Sequence, residues 1–66
     1  MKQAEKRFYA TMNTMETAAI IDAMRQTWNQ PEGEIFREIG FEILENREGE
    51  EKADEIYNDL WHEMAA

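Results

Sequence analysis

Between Ile35 and Leu44 the chain places an isoleucine at every fourth position, Ile35, Ile39 and Ile43, with Phe36 and Leu44 beside them. Glu34, Glu38, Glu42 and Glu45 fall on the other side of the same stretch. Apolar residues at this interval line one face of a 3.6-residue helix, so the spacing predicts an amphipathic helix over about 32–46. Its ends carry suitable punctuation. Pro31 fits the first turn of a helix, with Asn29 or Gln30 as the cap and Glu32 and Glu34 on the positive end of the dipole. Gly33 weakens that turn, which allows the helix to start a little later, and Gly49, following Asn46, Arg47 and Glu48, is a C-terminal stop. Gly40 falls within the apolar stripe and allows a close helix approach. Phe41 falls outside it, beside the acids, as an exposed aromatic or a second contact.

Glu50 and Glu51 open a further helix that runs to about 64, with Ala53, Ile56, Tyr57, Leu60, Trp61 and Met64 on one face and Glu51, Asp54, Glu55, Asn58 and His62 on the other. Only the turn at Gly49 separates the two helices, which predicts an antiparallel hairpin.

The first half is less regular. Phe8, Met12, Met15 and Ala19 share one helical face, while Ile20, Ile21, Met24 and Trp28 share another, rotated by nearly half a turn. Either the helix is interrupted or it meets neighbours on two sides. Asn13 as a cap with Glu16 three residues on resembles a capping box and places a helix over 14–28, whose Met15 and Ala19 touch something other than the main core. Residues 3–12 read as a weaker helix or an extended arm. The expected fold is therefore all-α, a small three-helix bundle with a short N-terminal helix as an optional addition, in one domain.

Composition agrees with helix. There is no Val in the chain, and Ala, Glu, Met and Arg are abundant. At 66 residues a single core only narrowly offsets chain entropy, so a partner or self-association is expected to matter. No Cys is present, which removes disulfides and thiolate metal clusters and fits a reducing compartment. The longest aliphatic run, Ala18 to Ile21, is four residues, far short of the roughly twenty that span a bilayer. No apolar stretch follows the basic start in the manner of a secretory signal. A cytoplasmic protein with no membrane contact is the expectation.

Charge is the most uneven property. Residues 1–30 carry four basic and three acidic side chains, whereas residues 31–66 carry three basic against twelve acidic. Glu34, Glu38 and Glu42 rise roughly 6 Å apart along a helix axis. Continued by Glu45 and joined by Asp54, Glu55 and Asp59, they form a rod of negative charge that would attract the basic groove of a nucleic-acid-binding protein. Direct nucleic-acid binding is disfavoured by the same acidity. The basic cluster Lys2, Lys6 and Arg7 beside Phe8 and Tyr9 is expected to pair with acids of its own fold or of a second subunit.

Catalytic chemistry has little to work with. There is no Ser or Cys nucleophile, and no GxxxxGK, GxGxxG or HExxH motif. The turn from Glu45 to Glu51 lacks the alternating ligands of an EF-hand. His62 is a lone imidazole near a helix C-terminus, with too few convergent ligands around it for a metal. No cofactor and no metal are implied. The sequence thus predicts a non-catalytic acidic protein-binding module, in its sharpest form an inhibitor that blocks a basic nucleic-acid-binding surface of a protein partner. Compact acidic inhibitors of nucleic-acid enzymes are similar in general character. Its partner-binding residues would be Glu34, Glu38, Glu42, Glu45, Asp54, Glu55 and Asp59, with Phe41 as an apolar anchor. The other reading is a homodimeric structural or regulatory protein in which Ile39, Ile43, Leu60 and Trp61 form the interface.

Overall fold

In the computed structural model, which describes residues 3–65, four helices follow one another: α1 (Gln3–Met12), α2 (Thr17–Thr27), α3 (Gly33–Glu48) and α4 (Glu50–Ala65). Among the described residues there is no strand. The N-terminal segment is therefore a helix rather than an extended arm, and the bundle has four members.

Gly49 alone joins α3 to α4. Its φ of 94° and ψ of 158° lie where only glycine sits without strain, and its N–H donates to the Glu45 carbonyl to close α3. The chain reverses here, and the two helices pack antiparallel. Phe41 and Tyr57, each eight residues from Gly49, bring their rings together at 5.3 Å between centroids.

The break between α1 and α2 falls later than the capping pattern at Asn13 predicts. Asn13 N–H donates to the Tyr9 carbonyl, Thr14 gives both its N–H and its hydroxyl to the Thr11 carbonyl, and Met15 N–H goes to Met12. These bonds finish α1 instead of starting a new helix. Asn13 is thus no cap, and α2 starts only after Glu16, which caps it with no side-chain hydrogen bond. The interruption resolves the two-faced pattern, because a re-aimed α2 lets Met12 and Ile20 both enter one core. Met15 also packs against that core, and Ala19 is exposed. Neither touches a separate partner surface within the chain, contrary to expectation.

Pro31 sits just ahead of α3, which takes the later start that the weak turn at Gly33 allows. Residues 28–32 form successive turns, with Gln30 N–H on the Thr27 carbonyl and Gly33 N–H on the Gln30 carbonyl, and α3 starts at Gly33 behind Glu32. Gly33 is buried against the Thr27 and Trp28 carbonyls, where a Cβ would collide, so the close approach there needs a glycine. Gly40 has the role the stripe assigns it. A Cβ there would lie 2.7 Å from Met24 Sδ, so the missing side chain is what lets α2 settle onto α3.

α3 is the central element. α1, α2 and α4 all pack on it, α1 through the edge-to-face pair Phe8–Phe36 at 4.8 Å. Arg47, near the end of α3, donates to the Asn13 carbonyl and to Thr17 Oγ1, while Gly33 at its start lies under the end of α2. Hence α2 runs opposite to α3, as α4 does. The core is Met12, Ile20, Met24, Trp28, Ile39, Ile43, Leu44, Ala53 and Leu60, with no buried polar side chain among the described residues. Each large member contributes about 1.5–3 kcal/mol by leaving water. Ile39, Ile43 and Leu60, expected at a dimer interface, are consumed inside the single chain. Of that set only Trp61 remains exposed. Among the described residues no helix is long and apolar enough to cross a membrane.

Candidate functional site: the acidic groove between α3 and α4

The stripe periodicity of α3 turns its apolar side to α1, α2 and α4, which leaves Glu34, Glu38 and Glu42 exposed along its outward spine. Glu34 and Glu38 border two depressions at once. On one side lies a shallow dip formed with Glu5, Pro31 and Ile35. On the other lies a groove of about 700 Å³, lined by Glu34, Arg37, Glu38 and Phe41 from α3 and Asp54, Tyr57 and Asn58 from α4.

The groove has an aromatic floor and acidic rims. Phe41 is half-buried against Tyr57, edge to face, so the aromatic that falls off the apolar stripe is a second contact and not a free ring. Tyr57 in turn lies 5.7 Å from Trp28, which also meets Trp61 edge to face at 5.6 Å. Arg37 belongs to this row. Its Nη1 donates to the Trp28 carbonyl at 2.7 Å and its guanidinium carbon stands 5.1 Å from the Trp28 ring centre. None of Glu34, Glu38 and Asp54 forms an ion pair among the described residues, so three carboxylates face the groove against one cation that is already engaged.

The other residues singled out from sequence are more scattered. Glu42 continues the exposed spine beyond the groove, and Glu45 is half-buried near the Gly49 turn. Asp59 lies five residues after Asp54, about 140° around α4 at 100° per residue, and so faces away from the groove. Glu55 is about 100° away and pairs with Lys52 at 4.0 Å beside the Gly49 turn. The fold thus gathers Glu34, Glu38, Phe41 and Asp54, and disperses Glu42, Glu45, Glu55 and Asp59. Arg37, Tyr57 and Asn58 line the groove without having been singled out. Counting outward from Gly49 in both directions pairs position 41 with 57, and that symmetry was the available signal.

Neither a family model, a curated protein nor a solved structure matches the chain. Its function therefore has to be argued from its own surface.

Elsewhere the surface offers less. Lys6 and Arg7 lie on an exposed patch of α1 with Gln3 and Ala10, and neither comes within ion-pair distance of an acid among the described residues. The expected pairing within the fold is therefore not made by these two, and Lys2 lies outside the described residues. Arg25 links α2 to α4 by pairing with Glu63, and also meets Asp22. The hydrogen bond and charge of Glu63 raise the Arg25 pKa above its ordinary value. His62 is exposed on α4. Among the described residues no three His, Cys, Asp or Glu side chains converge to hold a metal ion.

Proposed function

We propose that this protein is a non-catalytic, acidic protein-binding module that occupies a basic, nucleic-acid-binding surface of a target protein. The observation that carries the reading is the outward spine of α3, where Glu34, Glu38 and Glu42 stand exposed in a line with no ion pair among the described residues, flanked by Asp54 across the groove. With a formal net charge of −8, the chain generates a field that steers a basic partner at low salt and is screened at high salt. The spine carries one carboxylate per roughly 6 Å, sparser than the phosphates of a nucleic-acid strand at about 3.4 Å of axis each. The resemblance is one of sign and linear order rather than of density. Exposed acids at this spacing also suit competition, since a groove that holds phosphates presents its Lys and Arg side chains in a row.

The test is affinity capture from lysate at low and moderate salt, with captured proteins identified by mass spectrometry and then challenged with nucleic acid. The expected result is a nucleic-acid-binding protein held at low salt, lost at moderate salt, and displaced by nucleic acid. Glu38→Lys with Glu42→Lys should abolish capture. Binding that survives this double reversal at high salt overturns the reading.

A further inference from the structure

We infer that the groove between α3 and α4 is the docking point for an arginine side chain of the protein partner, stacked on Tyr57 and Phe41 and ion-paired to Glu34, Glu38 or Asp54. The inference deepens the proposed function and rests on its premise that the acidic face meets a basic protein surface.

Three observations lead to arginine. First, the floor is aromatic: the Phe41 and Tyr57 rings meet at 81° and 5.3 Å, an edge-to-face pair that leaves part of each ring at the groove. Such ring faces attract cations. Second, the carboxylates stand on both sides, Glu34 and Glu38 on α3 and Asp54 on α4, so a cation seated between the helices meets acids from either wall. Third, the same row of rings already holds one guanidinium. Arg37 lies 5.1 Å from the centre of Trp28 and gives an N–H to the Trp28 carbonyl, which uses the ring face and a nearby acceptor together. A planar guanidinium can repeat that arrangement one ring along, stacking with its face while its edge N–H groups reach the carboxylates. An ammonium is a hydrated point charge and gains less from the ring. Arg37 also lines the groove, but its guanidinium is engaged with Trp28 and no ion pair ties it to Glu34 or Glu38, so both carboxylates keep their acceptors for the incoming cation.

The experiment uses the whole 15N-labelled chain and two probes at constant ionic strength, Nα-acetyl-arginine amide and Nα-acetyl-lysine amide, followed by amide shifts. The arginine probe is expected to move Glu34, Glu38, Phe41, Asp54, Tyr57 and Asn58, and to bind more tightly than the lysine probe. Tyr57→Leu and Glu38→Gln should each weaken it by about two- to fivefold. Glu38 is exposed, so E38Q keeps the test decisive if Y57L unfolds. Shifts as large at Glu55 and Asp59, equal binding of the two probes, or unchanged affinity in both variants overturns the inference. A silent groove in a protein that still captures a nucleic-acid-binding target defeats this inference alone. A groove that takes arginine in a protein that captures no such target defeats the proposed function alone.

Discussion

Replacing Gly40 with alanine sets two effects of known size against each other. Alanine is favoured over glycine in a helix interior by about 1 kcal/mol, and Gly40 sits near the middle of α3. Against this, the new Cβ would lie 2.7 Å from Met24 Sδ and 3.0 Å from its Cγ, with Ile20 Cγ2 at 3.5 Å. Met24 is 0% exposed and cannot swing into solvent. Overfilling a packed core costs about 1–3 kcal/mol, so G40A should be destabilised by about 0–2 kcal/mol despite its better helix propensity. The diagnostic measurement is a double-mutant cycle with Met24→Ala. Alone, M24A should cost about 2–5 kcal/mol through the cavity it leaves. In the double variant the alanine methyl at position 40 points into that cavity and meets no sulfur. The pair should therefore be more stable than the sum of the singles by at least about 1 kcal/mol. Urea unfolding followed by circular dichroism gives all four corners, in a fixed concentration of a stabilising osmolyte so that the weakest variant keeps a folded baseline. Stabilisation by G40A, or additivity within about 0.5 kcal/mol, would refute the account of how α2 rests on α3.

The other two glycines should respond for different reasons. Gly33→Ala meets backbone carbonyls that cannot rotate away, so its thermal midpoint should fall further than that of G40A. Gly49→Ala has open space around it but a φ of 94°, and should cost about 1–3 kcal/mol in urea unfolding from backbone strain alone. Ile43→Ala empties a site that is 0% exposed and should cost about 2–5 kcal/mol, against a total of about 3–10 kcal/mol for a chain of this length. Circular dichroism should find its thermal midpoint well below that of the parent chain, and an unchanged midpoint would refute the placement of Ile43 in the core. Salt dependence of target binding should become shallower in Glu34→Gln with Glu38→Gln, measured as the slope of log affinity against log salt, while Glu55→Gln with Asp59→Gln should change the slope less.

The second half of the chain was the more readable. Ile35, Ile39 and Ile43 repeat at helical spacing and Gly49 has no alternative to a turn, so α3 and α4 lie within two residues of where the pattern puts them. α2 was misplaced because the signal at Asn13 and Glu16 is local and ambiguous. The polar groups of Asn13 and Thr14 could bond forward into a new helix or backward into the old one, and only the position of Arg47, far along the chain, takes up the Asn13 carbonyl. The later start of α3 was legible from Gly33, but the burial of Gly33 beneath Thr27 is a contact between two helices and was not. The acids were visible as stripes, but which of them share a groove depends on how α4 is rotated against α3. That rotation turns Asp54 rather than Asp59 toward the groove, and it joins Tyr57 to Phe41.

Because α1, α2 and α4 each make their main packing against α3, the helices should not lose their structure together. Backbone amides of α1, held chiefly through Phe8 on Phe36 and Met12 in the core, can exchange with solvent hydrogen by a local opening that leaves the α3–α4 hairpin intact. Amides at the centre of α3 have no such route, since freeing them means releasing every neighbour at once. Hydrogen exchange should therefore grade outward from α3, with the slowest sites around Ile43 and Leu44 reporting global unfolding and α1 among the first to exchange. A target that grips the outer face of α3 and α4 would consequently bind the most persistent part of the molecule, with little ordering entropy left to lose.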